Sequence, residues 1–270
     1  MVSIRPAAVA GLFYPGTPQA LSAAVAAYLG NEAGDDRPAP KAIVVPHAGY
    51  VYSGAMAGAA YACLPRARSV IRRVVIVGPA HRVAVHGVAL PAAREFSTPL
   101  GNVAVDADAV AAIAELPGVT VNAEVHALEH SLEVQLPFLQ TVLDRFRIVP
   151  LAVGTASPET VAAVLDRVWG GRETLLVLSS DLSHYHGYAD AQRLDRGTVD
   201  TLLGLQPTLD HEQACGATPL NGFLLCAARR GLTSRFLGLC NSGDTAGDRM
   251  RVVGYAALAF DEPMAEAVRT

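Results

Sequence analysis

Short runs rich in Ile, Val and Leu alternate with alanine- and leucine-rich stretches over most of the chain. The apolar runs are AIVVP, RVVIVGP, HGVALPA, NVAVD, RIVPLAVG, TLLVLSSD, SRFLGLC and VVGYAALAF. They are too short for helices, and their β-branched content and flanking turn residues mark them as strands. Between several of them lie segments of helical length: GAMAGAAYACL, DADAVAAIAEL, EHSLEVQLPFLQTVL, SPETVAAVLDRVW, ADAQRLDRGTVDTLL and TPLNGFLLCAARRG. Upstream, TPQALSAAVAAYLG has a cap in Thr17, a proline at position 18 in its first turn and Gly30 at its end, the punctuation of one more helix. The polar stretch NEAGDDRPAP that follows reads as a surface loop.

Alternation of strand and helix predicts an α/β fold, and AIVVP, RVVIVG and LLVLS are apolar on both faces, as central strands covered by helices on each side are. HGVALPA and NVAVD, with turn residues between them, read as a hairpin or an edge excursion, so the sheet is expected to be mixed or mostly parallel. No repeat, low-complexity tract or composition break divides the chain, and residues 1–270 are read as a single-domain sandwich.

Composition narrows the class. With 51% hydrophobic and 17% charged residues the chain has ample material for a core. A net charge of -4 argues against a nucleic-acid partner, which calls for a concentrated basic surface. The four cysteines are far apart with no CxxC spacing, so no zinc ribbon or thioredoxin-type motif is present, and reduced thiols in the cytoplasm are expected. The N-terminal segment breaks at Tyr14-Pro15-Gly16, unlike a signal peptide, and no apolar run reaches the ~20 residues of a membrane span.

Chemistry collects at strand ends. AIVVP is followed by His47, RVVIVGP by His81, TLLVLSS by Asp181 and His184, and SRFLGLCNSG by Asp244. Ligand crevices of open α/β sheets form outside the carboxyl ends of the strands, so four such deliveries toward one rim define a site. A single histidine at a strand end is more often a hydrogen-bonded structural residue. Two neutral imidazoles and an oxygen donor converging on one point are the ligands of non-haem Fe(II), and they also suit zinc.

In SSDLSHYHG, Ser179, Ser180 and Asp181 are ordinary helix caps on the plain reading. The three-residue spacing of Asp181 and His184 would put them on one face of a helical turn, making His184 a general acid/base oriented by the carboxylate. EVHALEHSLEVQLPF places Glu129, His130 and Glu133 at a helix start, either as a solvated acidic face or with Glu129 or His130 reaching the rim as a substrate contact or a support to a ligand. NSGDTAGDR is first of all a turn, which also offers Asp244 as an oxygen ligand. GxSxG, GxGxxG, P-loop and HExxH motifs are all absent.

The segments PHAGYVYSG, VGPAHRV, FSTPLGNVAVD, EHSLEVQLPFL, LSSDLSH and NSGDTAGD followed by VGYAALAF resemble, in order and spacing, the Memo family, whose bacterial and archaeal members are called AmmeMemoRadiSam system protein B. The resemblance runs from RPAAVAGLFYPG to the last strand. It implies a fold similar to the class III extradiol dioxygenases, the LigB-like non-haem iron enzymes. It also implies His47 and His81 as metal ligands and Asp181 and His184 as cleft residues, with His184 in the acid/base position. In eukaryotic members a cysteine near the C-terminus is the third ligand; Thr245 stands there, with Asp244 beside it and Cys240 five residues earlier. The divalent metal implied is Fe(II) above Cu or Zn. Implied partners are a radical S-adenosylmethionine protein and an AMMECR1-type protein. Three functions follow: an iron-dependent redox enzyme or dioxygenase acting on a small molecule, a non-catalytic metal- or peptide-binding partner, and a zinc-dependent hydrolase.

Overall fold

A computed structural model of the chain describes residues 3–30 and 37–263, which leaves most of the expected loop at 31–40 outside it. In chain order the strands are β1 (Ile4–Arg5), β2 (Ala42–Val45), β3 (Arg73–Pro79), β4 (Val88–Leu90), β5 (Glu95–Thr98), β6 (Gly101–Ala104), β7 (Val119–Val121), β8 (Arg147–Val153), β9 (Thr174–Ser179), β10 (His184–His186), β11 (Thr233–Asn241) and β12 (Val252–Asp261). The helices are α1 (Pro18–Leu29), α2 (Tyr50–Tyr61), α3 (Ala107–Ala114), α4 (Ala123–Ala127), α5 (Leu136–Val142), α6 (Pro158–Val168), α7 (Tyr188–Leu203) and α8 (Ala217–Arg229).

The sheet is mixed, with a parallel centre. β2, β9, β3 and β8 lie side by side in one direction, Val44 against Leu178 and Val75 against both Leu176 and Val149. β12 runs antiparallel to β2, and β11 antiparallel to β12, so β11 points the same way as β2 from two places further out. At the other side β4 pairs antiparallel with β8 and parallel with β7. The hairpin expected from HGVALPA and NVAVD does not form. Their strands, β4 and β6, belong to different sheets, and β6 pairs antiparallel with β5 in a small sheet that also takes in β1.

Side chains that alternate along the central strands supply two separate cores. Ala42, Val44, Val75 and Val77 pack with Val161 and Leu165 of α6 and with Leu220 and Phe223 of α8. Ile43, Val45, Val74 and Ile76 pack with Leu21 and Val25 of α1, Tyr61 of α2 and Phe138 of α5. Each fully buried Val, Leu or Ile is worth about 1.5–3 kcal/mol, so these strands and their carboxyl ends form a firm platform. No helix among the described residues is long and apolar enough to cross a membrane.

The helix expected over EHSLEVQLPFLQTVL is shorter than the pattern implied. Leu128–Leu132 is not helical, and only a 3-10 turn (Glu133–Gln135) precedes α5. The cause is local: the Glu129 carboxylate accepts the Ser131 N–H at 2.9 Å, an alternative to the helical ladder. Glu129 and Glu133 therefore do not share a helix face. Glu133, fully buried, pairs with Arg5 and accepts from the N–H groups of Ala8 and Val9 and from Tyr14 Oη, which ties the N-terminal segment down. Asp181 and His184 are likewise not on a helical turn, since Ser180–Ser183 is irregular and His184 opens β10.

Candidate metal centre

The parallel arrangement puts the ends of β2, β3 and β9 on one rim, and there His47, His81 and His130 come together. One ring nitrogen from each lies within 4.8 Å of the other two. The His81 and His130 rings stack at 4.8 Å, and His47 stands edge-on to both at 5.1 and 5.4 Å. Phe13 lies against His130 at 4.8 Å.

Hydrogen-bond accounting fixes the His47 ring. Ser179 Oγ donates to Ser131 O at 2.6 Å, which uses its one hydrogen, and accepts from Gln135 Nε2 at 3.0 Å. Gln135 is oriented in turn, its Oε1 accepting from Tyr61 Oη and its Nε2 also donating to Pro46 O. The contact of 3.0 Å between His47 Nδ1 and Ser179 Oγ must then be a donation by Nδ1–H. Nε2 is left with a lone pair, the state a metal ligand needs. Burial, with the charges of His81 and His130, holds this ring well below the usual imidazole range.

His81 is set by a carboxylate. Its backbone N–H donates to Glu129 Oε2 at 2.6 Å and its Nδ1 to Oε1 at 2.9 Å, which turns Nε2 outward. Burial alone would raise the Glu129 carboxyl, but the bond and charge of His81 and the N–H groups of His81 and Ser131 take it down to about 2. A carboxylate behind a histidine is the usual support of a ligating imidazole. Burial pushes His130 down to about 4, helped by His81 and opposed by the Glu129 charge. His130 Nδ1 is buried without a hydrogen-bond partner, 3.4 Å from Glu129 Oε1. Three imidazoles gathered at one point, one with an unpaired buried nitrogen, make a donor set that fits a divalent cation.

Asp181 lies beneath this set rather than in it. Its Oδ1 accepts the N–H groups of His47 at 2.7 Å and Ala48 at 3.3 Å, so it holds the turn carrying His47. Burial raises its carboxyl to about 7 against those N–H groups and the charge of His81. His184 takes its orientation from Leu182 O, to which Nδ1 donates at 2.8 Å, and not from Asp181. Burial lowers its pKa, with His81 adding to the effect. Tyr185 beside it has a φ of 64°, a left-handed conformation uncommon for an aromatic residue, within a register shift between β10 and β12. That bulge re-aims the strand at His184.

Asp244, the expected oxygen ligand, is not brought to the three nitrogens. β12 lies between β2 and β11, so two strand spacings of about 4.8 Å separate the end of β11 from that of β2. Asp244 accepts from Tyr188 Oη and from Asn241 N, closing a capping box. It faces a cavity of about 520 Å³ beside α7, with Cys240, Gln192 and Arg193. Thr245 donates to Ser242 O at 3.2 Å in the same turn. His130, read from sequence as a substrate contact or support, takes the third place in the group. Cys215, with Sγ 3.3 Å from His47 Nε2, carried no signal in the sequence pattern.

A model of the Memo-like protein family matches residues 5–259. A MEMO1 family protein of Archaeoglobus fulgidus is 37% identical over 268 residues, covering 93% of this chain and 97% of the relative. MEMO1 family proteins of Methanothermobacter thermautotrophicus and Aquifex aeolicus are 34% and 32% identical, each covering 95% of this chain and 100% and 99% of the relative.

Proposed function

The chain belongs to the Memo-like family, and we propose that it works as a metal-dependent enzyme with His47, His81 and His130 as the protein ligands and His184 as the proton carrier. The observation that carries the reading is the orientation of the imidazoles. Ser179 and Glu129 hold Nδ1 of His47 and His81, so both rings present an unprotonated Nε2 toward a cation. Of the cations such a set takes, Fe(II) would supply open positions for O₂ and a small organic substrate, and zinc would supply Lewis acidity.

The remaining work falls to the chain. His184 donates through Nδ1, so its free Nε2 acts as a base, and burial keeps the ring neutral near pH 7. It would accept the proton of a substrate hydroxyl, such as that of a phenol, as the substrate is bound. Phe13 lies tilted against His130 and adds an apolar wall beside it. An iron-dependent oxidation of a small molecule is the reading we favour. One observation favours zinc-dependent hydrolysis instead: the third donor is an imidazole, whereas the facial set of non-haem iron enzymes uses a carboxylate.

Oxygen uptake separates the two. Protein reconstituted anaerobically with Fe(II) is expected to consume O₂ with simple catechols, and His184→Asn to lose that uptake by about 10²-fold or more while keeping its iron. Iron-loaded wild type that leaves O₂ at background with every catechol, while zinc-loaded protein hydrolyses activated esters, overturns the oxidative reading.

A further inference from the structure

One thiol touches the metal-facing edge of His47. Cys215 closes the loop ahead of α8, and its Sγ lies 3.3 Å from His47 Nε2. Its other contacts are weaker, Asp181 O at 3.6 Å and Ser180 Oγ at 3.8 Å. Because Nε2 carries the lone pair, the thiol hydrogen points along the line a metal ion would take to His47.

We propose that Cys215 is a fourth donor at this centre, giving the cation three imidazoles and one sulfur; the inference rests on the reading of the histidines as metal ligands. Its first support is spacing. With metal–sulfur near 2.3 Å and metal–nitrogen near 2.0–2.1 Å, adjacent sulfur and nitrogen ligands of one ion stand roughly 3.1 Å apart at a right angle and about 3.6 Å at the tetrahedral angle. The observed 3.3 Å falls between. The second is how firmly the cysteine is placed. Cys215 N donates to Asp181 O at 3.3 Å and Gly216 N to Ser180 Oγ at 2.9 Å, so the loop is tied to the segment after β9 on both sides of the sulfur. A Cβ on Gly216 would come within 2.7 Å of Ser180 Cβ, so glycine lets the loop press that close. The third is independent of the cysteine: three imidazole nitrogens gathered within 4.8 Å and an unpartnered buried His130 Nδ1 already point to a cation.

The sulfur lies outside that 4.8 Å group and adjoins it at His47 Nε2. Binding breaks the S–H bond and forms a metal–sulfur bond, the proton leaving to solvent; no electron is transferred. A soft sulfur donor shifts the preference of the site toward zinc and copper relative to an all-imidazole set.

Cobalt(II) tests this without any substrate. Wild type loaded with one equivalent is expected to show the near-ultraviolet absorption of thiolate-to-cobalt charge transfer, and Cys215→Ser to bind one equivalent without that band. Cys240→Ser should leave the band unchanged. Should Cys215→Ser not fold, a variant with Cys63, Cys226 and Cys240 all changed to alanine keeps Cys215 as its one thiol and must retain the band. A wild type that binds cobalt without the band, or a band that survives Cys215→Ser or is lost from the single-thiol variant, overturns the sulfur ligand and leaves the histidines standing. A wild type that binds no cobalt overturns both readings.

Discussion

Replacing Asp181 by asparagine removes a buried charge and keeps its shape. Asp181 is 5% exposed, and the amide oxygen of asparagine can accept the same N–H groups from His47 and Ala48. Burial raises the carboxyl from 3.8 to about 7, in spite of those two donors and His81. In the folded state the proton is thus held over roughly three units of pH after the unfolded chain has released it. Stability falls as pH rises through that window, by about 1.4 kcal/mol per unit, and the whole effect is on the order of 4 kcal/mol. Asparagine has no proton to lose, so the variant escapes this decline.

Urea unfolding of both proteins in the presence of a chelator, at intervals between about pH 4 and pH 8, measures the difference directly. The variant is expected to gain on the wild type as pH rises, by roughly 4 kcal/mol in all, with most of the change below about pH 7. His47 and His130 also titrate differently in the folded and unfolded states, but those contributions occur in both proteins and cancel in the difference to the extent that they do not couple to Asp181. A difference that stays flat with pH, or a wild type that gains on the variant toward pH 8, refutes the reasoning.

Glu129→Gln should lower metal affinity by about 10–100-fold, because a neutral amide supports His81 less well than a carboxylate; calorimetric titration with zinc reads it, and an unchanged affinity removes Glu129 from the centre. Arg5→Met strands the fully buried Glu133 with only Tyr14 Oη and two backbone N–H groups, and a loss of about 3–5 kcal/mol is expected in chemical denaturation. A loss below about 1 kcal/mol would mean that those remaining donors suffice.

The strand–helix alternation was legible because both faces of β2, β3 and β9 are covered, which leaves uninterrupted apolar runs in the sequence. The rim was legible for the same reason, since each run stops where a polar residue leaves the sheet. What could not be read locally was lateral order. SRFLGLC and AIVVP give no sign that β12 lies between them, and that one strand keeps Asp244 away from His47. His130 was visible as a candidate beside Glu129, but its position depends on the break in helical structure at Leu128–Leu132, where a side chain competes for a backbone N–H. Cys215 is 168 residues from His47 in sequence, and only the folded chain sets them side by side.

Three imidazoles are expected to hold one cation. Metal content after anaerobic loading with zinc or Fe(II) and exhaustive buffer exchange, compared among wild type, His47→Ala, His81→Ala and His130→Ala, tests it most directly. One equivalent in the wild type and a loss of most bound metal in each of the three variants, with their folds intact by circular dichroism, is the predicted result. Variants that retain as much metal as the wild type would contradict it.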